Sequence, residues 1–159
     1  MRSIRSPWTA AMLLVALAAG ADAASDWLTG SPGDQLQTLA KIQPGLGTVM
    51  IEYGARFGNM YYAGKGGNWE LAAYQLKEAR EIQEVGETTR PARAGALKSF
   101  ETSYLDPLEQ AIQAKDAAVF EQRVRTAVVA CNGCHVSEGF RYIRYQLPEG
   151  PTFPLSMQP

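Results

Sequence analysis

Apolar residues recur at intervals of three and four along most of this chain, and this helical period constrains its fold more than any other feature. Met50, Tyr53 and Phe57, for example, share one face of a predicted helix. No β-hairpin signal of any strength accompanies the pattern. The sequence therefore predicts an all-α fold with four amphipathic helices. They cover about residues 48–63, 69–86, 94–114 and 117–138.

Capping and helix-breaking residues mark the ends of these helices. Asn68 is a suitable N-cap for the second helix, and Gly86 is expected to end it. Asp106 and Pro107 together predict that the third helix is kinked or begins again. Asp116 is a suitable cap for the fourth. Because the connections are short, we expect an antiparallel up-down-up-down four-helix bundle.

Residues 1–23 have the features of a secretory signal peptide. Arg2 and Arg5 precede an apolar run, and small residues then frame a processing site that ends at Ala23. We expect cleavage after Ala23 and a periplasmic location. The apolar run is too short for a stable membrane span, so the mature chain should have none. The alternative is an uncleaved leader that tethers the protein.

The rest of the chain is expected to form one domain and a tail. Residues 24–139 suffice for one core, and a short extra helix is expected over residues 31–43. Residues 140–159 differ, because their four prolines exclude regular helix. Their apolar side chains, such as Tyr142 and Phe153, predict an extended tail packed on the bundle.

The charge balance of the chain gives no support for some classes of partner. The full chain has 15 basic and 16 acidic side chains, a formal net charge of −1. Removal of the leader would make the chain slightly more acidic. This balance gives no reason to expect binding to nucleic acid or to an anionic lipid surface.

Cys131, Cys134 and His135 form the segment that carries chemistry, and they are the only cysteines and the only histidine of the chain. C-x-x-C-H is a c-type haem attachment sequence. Its thiols add to two vinyl groups of one haem, and its imidazole can bind the iron as proximal ligand. A disulfide across so short a loop would stabilise little. We therefore expect one covalently bound haem c.

Two other readings of this segment are weaker. A thioredoxin-like dithiol needs its first cysteine at a helix N-terminus, where the pKa of the thiol is lowered. Here the cysteines lie near the end of a predicted helix, and no βαβ pattern surrounds them. A zinc site needs four ligands, and the chain has one histidine to offer.

With this motif on the last of four predicted helices, the chain resembles the cytochrome c-prime superfamily, including its methionine-ligated low-spin relatives. The resemblance covers about Leu46 to Gly139, and its one specific motif is Cys131 to His135. The proline-rich tail is not part of that family's usual pattern. The resemblance implies a haem inside the bundle, His135 as proximal ligand, and a sixth position that is empty or filled by a first-helix methionine. It also permits a homodimer through the first two helices.

Three methionines are candidates for the sixth ligand of the haem iron. In an antiparallel bundle the fourth helix ends where the first begins, so Met50 should lie near His135. Met60 is about 15 Å further along the helix and is expected in the core. Met157 is a less favoured candidate, because it lies on a tail whose path is restricted by prolines. The alternative is that Met50 is an ordinary core residue, since a methionine on an apolar helix face often only fills space.

The sequence favours an electron carrier, with no catalytic residues. A histidine–methionine iron suits electron transfer, whereas a five-coordinate iron would bind nitric oxide or carbon monoxide. Peroxidase-like catalysis ranks last, because only Glu52 or Arg56 is available as a distal helper. Arg141 and Arg144 are candidates for contact with the haem propionates, or else surface charges. The expected partner is a redox protein or a small redox molecule of unknown identity.

Overall fold

The computed structural model of the protein describes residues 27–159, and this part of the chain is helical apart from turns and loops. No strand occurs between residues 27 and 159, so the predicted all-α class is confirmed. The predicted signal peptide, residues 1–23, lies outside the described residues. The helices are α1 (Pro32–Lys41), α2 (Leu46–Lys65), α3 (Trp69–Thr89), α4 (Pro91–Phe100), α5 (Asp106–Gln113) and α6 (Ala117–Ser137).

The chain divides into two compact units, and α1 belongs to the first, which ends at Ile42. Helix α1 is the short extra helix that the sequence predicts. It begins with a capping box in which the Ser31 hydroxyl accepts a hydrogen bond from the Asp34 backbone, while the Asp34 carboxylate accepts one from the Ser31 backbone. Helices α2 to α6 and residues 138–159 belong to the second unit, which begins at Gln43.

Two helix starts follow the predicted caps. The Asn68 side chain accepts a hydrogen bond of 3.0 Å from the backbone N–H of Leu71, at the start of α3. The Asp116 carboxylate accepts two, from the N–H groups of Ala118 and Val119, at the start of α6. Each cap satisfies donors that the first helical turn leaves without an intrahelical partner.

The expectation that Gly86 ends its helix is wrong, because α3 continues to Thr89. Gly86 is buried inside the helix, where a Cβ atom would lie 2.8 Å from Leu46 and 3.2 Å from Val49. The glycine therefore permits close approach of α2 to α3. Sequence pattern alone does not distinguish this role from a C-terminal cap, because both require the missing side chain.

The predicted irregularity of the third helix takes the form of a π-helical turn. Residues Glu101–Leu105 form this turn between α4 and α5, and the chain resumes α-helix at Asp106. Arg80 of α3 holds the turn in place, since its guanidinium pairs with Glu101 and lies 2.8 Å from the Asp106 carboxylate and 3.2 Å from that of Glu109. The helix therefore continues through a π-helical turn without an interruption.

One core joins the helices of the second unit. Helix α2 packs on α3 and α6, α3 packs on α4 and α5, and α5 packs on α6. The buried core includes Phe57, Met60, Leu76, Leu105, Leu108, Phe120 and Val124. Among residues 27–159, no helix is long and apolar enough to span a bilayer.

Residues 140–159 contain neither helix nor strand, and their later part, from Pro148 on, is hydrogen-bonded to side chains of α2. The Tyr62 hydroxyl donates a 2.7 Å hydrogen bond to the carbonyl of Pro148. The buried Asn59 side chain accepts hydrogen bonds from the backbone N–H groups of Thr152 and Phe153, at 2.8 and 3.3 Å. Asn68 donates to the carbonyl of Gln158. Side chains of α2 and the N-cap residue of α3 thus supply backbone partners that a strand would otherwise find in a sheet.

Gly64 sets the approach of α2 to α6, and its replacement by alanine is expected to destabilise the protein by about 1–3 kcal/mol through overpacking. A Cβ atom at this position would lie 2.4 Å from the ring of Phe120, which is itself buried. Gly95 of α4 is the matched control. No atom lies within 4 Å of a Cβ built there, so Gly95→Ala should stabilise the helix by up to ~1 kcal/mol. Urea denaturation measures both, and equal midpoints for the two variants would contradict this packing.

Candidate functional site

A cavity of about 440 Å³ lies between the first half of α2, the end of α6, α4 and the segment after α6. Its walls are mostly apolar, with Leu46, Ile51, Leu97 and Phe100 among the lining residues. The volume falls within the usual range for pockets that hold a small molecule or cofactor. The first half of α2 and the end of α6 meet here because the two helices run in opposite directions.

Cys131, Cys134 and His135 all line this cavity. Positions separated by three or four residues share a helix face, so the last two turns of α6 present both thiols and the imidazole to the same space. Both thiols are free. Within residues 27–159 there is no group of three or more His, Cys, Asp and Glu side chains arranged to bind one metal ion.

The His135 ring is held by the loop that follows α6. Its Nδ1 atom lies 3.1 Å from the backbone carbonyl oxygen of Ile143. A carbonyl oxygen only accepts hydrogen bonds, so in the neutral imidazole Nδ1 carries the proton and Nε2 keeps its lone pair. The loop is closed by hydrogen bonds from the Phe140 N–H to the His135 carbonyl and from the Ile143 N–H to the Phe140 carbonyl. Metal-binding histidines commonly have such a second partner.

Asn132 fastens the next part of this loop to α6. Its amide nitrogen donates to the carbonyl of Tyr145 at 3.0 Å, and its amide oxygen accepts from the Tyr145 N–H at 2.8 Å. The Tyr145 hydroxyl then donates to the carbonyl of Gly54 on α2. A Cβ atom at Gly54 would lie 3.1 Å from the Tyr145 ring, so the fit is close. Residues 140–145 thus form a wall tied to both helices.

Burial keeps the two thiols protonated. It raises the pKa of Cys131 to about 12, and the neighbouring Cys134 thiol adds to this effect. Burial also raises the pKa of Cys134, which the nearby Arg93 cation partly offsets. A dithiol oxidoreductase needs a thiolate near neutral pH. These surroundings therefore oppose thioredoxin-like chemistry.

The methionines occupy different places. Met50 lines the cavity together with His135. Met60 is completely buried in the core, as predicted. Met157 packs against that core at the far end of α2, where its carbonyl oxygen would lie 2.2 Å from a Cβ atom at Gly66. Of these three, only Met50 shares a cavity with the cysteines.

The arginines proposed as propionate partners also differ. Both are exposed, but Arg144 lines the cavity and Arg141 is not part of the lining. Arg93 lines it too, and this residue escaped the sequence analysis. It pairs with Glu138, and its guanidinium lies over the Phe140 ring, 5.4 Å from the ring centroid. It lies near the start of the third predicted helix, and the expected antiparallel arrangement brings that start to the end of the fourth. This is a signal that would have found it.

Glu52 and Arg56, the suggested distal helpers, do not line the cavity. They form an ion pair with each other at 3.3 Å, and Arg56 lies over the Phe153 ring. Two buried polar residues do line it and were not assigned a role from sequence. They are Tyr53 of α2 and Gln83 of α3, whose amide donates to Glu87 and to the carbonyl of Leu97.

Comparison with known proteins returns no relative of this chain. No protein-family model matches it, and no curated protein or solved structure matches it either. The case for a function therefore depends on the residues and the geometry of this cavity.

Proposed function

We propose that the protein is an exported monohaem c-type cytochrome that transfers electrons. One haem would occupy the cavity, joined to Cys131 and Cys134 by thioether bonds and ligated by His135. A single observation carries the proposal: the two thiols and the imidazole of a haem attachment sequence line one mostly apolar cavity of about 440 Å³.

The residues present fit a haem. Two thiols and one imidazole on the same helix face are the donor set that covalent attachment and proximal ligation require. The hydrogen bond from His135 Nδ1 to the Ile143 carbonyl leaves Nε2 as the nitrogen able to bind a metal. The apolar lining suits a flat, largely hydrophobic ring and keeps water away from it.

When bound, the haem supplies one-electron chemistry, and the chain sets its properties. His135 would hold the iron as proximal ligand, and the Ile143 carbonyl would fix its tautomer and ring orientation. Asn132 holds the loop that carries this carbonyl. Met50 is the proposed sixth ligand, because it lies on the α2 side of the same cavity. A histidine–methionine pair favours electron transfer and raises the potential.

The cationic residues at the cavity suit the two haem propionates. Arg144 and Arg93 both line it, and guanidinium groups bind carboxylates strongly. Arg141, exposed and away from the lining, is better suited to the protein surface. The neutral buried thiols support haem attachment over a redox dithiol, since a dithiol enzyme requires a reactive thiolate.

The proposed architecture is an antiparallel four-helix bundle made of α2, α3, the α4–α5 pair and α6, with residues 140–159 as an extended tail. The helix contacts support this architecture. At one end of α2 and α6, Gly64 lies close to Phe120, and at the other end Met50 and His135 line the same cavity. The two helices therefore run in opposite directions, as in such a bundle. This arrangement agrees with the resemblance to the cytochrome c-prime superfamily. The leader-like residues 1–23 support a periplasmic site of action.

Mass spectrometry tests the proposal directly. The protein purified from the periplasm should have the mass of a chain starting near Ala24 plus one haem, and the haem should stay attached in acidified acetone. Thioether bonds resist this treatment, whereas a haem bound only through its iron is extracted. The matched control is Cys131→Ser with Cys134→Ser, which should lose the covalent adduct. A chain of unmodified mass, with the two cysteines joined as a disulfide, would rule out a cytochrome.

A further inference from the structure

Asn132 lies between the two cysteines of the attachment sequence, and its side chain binds the backbone of the loop after α6. The amide oxygen accepts a hydrogen bond of 2.8 Å from the Tyr145 N–H, and the amide nitrogen donates one of 3.0 Å to the Tyr145 carbonyl. The same nitrogen donates to the carbonyl of Val128, one turn earlier in α6, at 3.1 Å. Hydrogen bonds to backbone groups on two sides therefore fix the direction of this side chain.

Asn132 and His135 bind the same short stretch of the loop. His135 Nδ1 lies 3.1 Å from the carbonyl oxygen of Ile143, and Ile143 is two residues before Tyr145. Helix positions three residues apart share a face and lie about 4.5 Å apart along the axis. The two side chains thus meet the loop at neighbouring points, so the position of the Ile143 carbonyl relative to the imidazole depends on the Asn132 anchor.

Packing contributes little to the position of the Ile143 carbonyl, because the Ile143 side chain is 46 % exposed. Hydrogen bonds hold this part of the loop instead. On one side, the Ile143 N–H donates to the Phe140 carbonyl, and the Phe140 N–H donates to the His135 carbonyl. On the other side, Asn132 holds the backbone of Tyr145. Loss of the Asn132 amide would free the loop on that second side.

The side chain of Tyr145 is anchored separately from its backbone. Its hydroxyl donates a 2.9 Å hydrogen bond to the carbonyl of Gly54 on α2, and its ring packs edge-on against Phe57 at 5.9 Å. Neither contact involves Asn132. Removal of the Asn132 amide should therefore leave the wall of the cavity in place on the α2 side and loosen the backbone beside His135.

The hydrogen bond at Nδ1 affects the imidazole as a metal ligand. A carbonyl that accepts from one ring nitrogen raises the basicity of the other, which is Nε2 in His135. A more basic ligand stabilises oxidised iron relative to reduced iron, so it lowers the reduction potential. Hydrogen bonding around the axial ligand is one of the means by which a protein sets the potential of a haem.

We propose that Asn132 is a positioning residue that strengthens the hydrogen bond between His135 and the Ile143 carbonyl and thereby lowers the reduction potential of the haem. This inference rests on the proposed haem binding. It gives a role to a residue of the attachment sequence that neither joins the haem nor ligates its iron. Asn132 acts through the backbone of Tyr145.

Asn132→Ala should raise the reduction potential, because a weaker hydrogen bond leaves the imidazole a poorer donor to oxidised iron. The direction of the shift separates this role from a purely structural one. A wall that merely opened to water would lower the potential, since polar surroundings favour the more highly charged oxidised haem. Redox titration of the haem-containing protein measures the shift. An unchanged or lowered potential would overturn the inference.

Two matched variants lose a hydrogen bond from a side chain to the backbone that does not involve residues 140–145. Ser137→Ala removes one of 2.9 Å to the Cys134 carbonyl at the same end of α6. Tyr62→Phe removes one of 2.7 Å to the Pro148 carbonyl, further along the tail. Both variants should keep the natural potential. A rise in either that equals the rise in Asn132→Ala would contradict the proposed role.

The Nδ1 proton of His135 provides a second readout, by NMR of the reduced protein. Its exchange with solvent should be faster in Asn132→Ala than in the natural protein. Asn132→Asp keeps an oxygen that can accept from the Tyr145 N–H and loses the donor to the Tyr145 carbonyl, so its exchange rate should lie between the two. Equal rates in all three proteins would overturn the inference.

Mass spectrometry separates failure of this inference from failure of the proposed function. Asn132→Ala keeps both thiols and the imidazole, so it should still carry one covalent haem. Absence of covalent haem from the natural protein would refute the proposed function itself. A natural protein and a variant that both carry haem, with no rise in potential in the variant, would refute only the role of Asn132.

Discussion

Replacement of His135 by alanine is expected to leave the haem attached through its thioether bonds and to remove its normal proximal ligand. The absorption spectrum should change accordingly, because iron spin state and potential depend on the axial ligands. The folded protein should also be less stable. Loss of the 3.1 Å hydrogen bond to the Ile143 carbonyl alone costs about 1 kcal/mol, and loss of the iron bond adds to this.

The position of His135 makes this effect larger than that of a surface histidine. The imidazole lines the cavity, and the residues after it form the wall that Asn132 ties back to α6. Removing the iron bond would therefore loosen both the haem and the loop from Phe140 to Tyr145. The absorption spectrum measures the effect on the haem. Thermal denaturation of the haem-containing protein measures the effect on the stability of the fold.

The control for His135→Ala is a ligand supplied from solution. Excess imidazole should restore a spectrum close to that of the natural protein, because the space left by the side chain lies at the cavity. The thermal midpoint should recover less, since free imidazole does not connect the iron to α6. If His135→Ala has the natural spectrum and melting temperature without added imidazole, His135 is not the proximal ligand.

Replacement of Met50 by alanine is the second large expected effect. In a methionine-ligated protein it should convert low-spin haem to high-spin and lower the reduction potential, as the thioether stabilises reduced iron. Axial ligands and their surroundings move haem potentials over roughly 0.8 V, so the change should be easy to measure. If the natural protein is instead five-coordinate, the variant should enlarge the cavity and speed carbon monoxide binding, as expected of a gas-binding protein.

Met60 is the matched control for Met50, because both belong to α2 and differ in where they lie. Met60 is completely buried in the core and does not line the cavity. Met60→Ala should therefore reduce the free energy of unfolding by about 2–5 kcal/mol and leave the spectrum of the folded protein unchanged. Unchanged spectrum, potential and gas-binding rate in Met50→Ala would show that Met50 has no role at the iron. The same substitution at Met157 would then test the tail.

Local features of the sequence sufficed to predict the helices and most of their ends. The 3.6-residue period depends only on which face of a helix is apolar, and it identified the all-α class. The Asn68 and Asp116 caps were predicted correctly because a cap is a hydrogen bond between neighbours in sequence. The C-x-x-C-H segment is equally local, so Cys131, Cys134 and His135 were found without any tertiary information.

Tertiary structure decided everything that depends on residues far apart in the chain. Gly86 was misassigned because what requires glycine there is close packing against Leu46 and Val49 of another helix, α2. Arg93 reaches the cavity from α4, which only the packing of the helices brings there. Arg144 reaches it and Arg141 does not, a distinction set by how the loop after α6 folds. The partner of His135 is a backbone carbonyl, which carries no sequence signal. Side-chain identity thus determined which groups can do chemistry, and long-range packing determined which of them share one cavity.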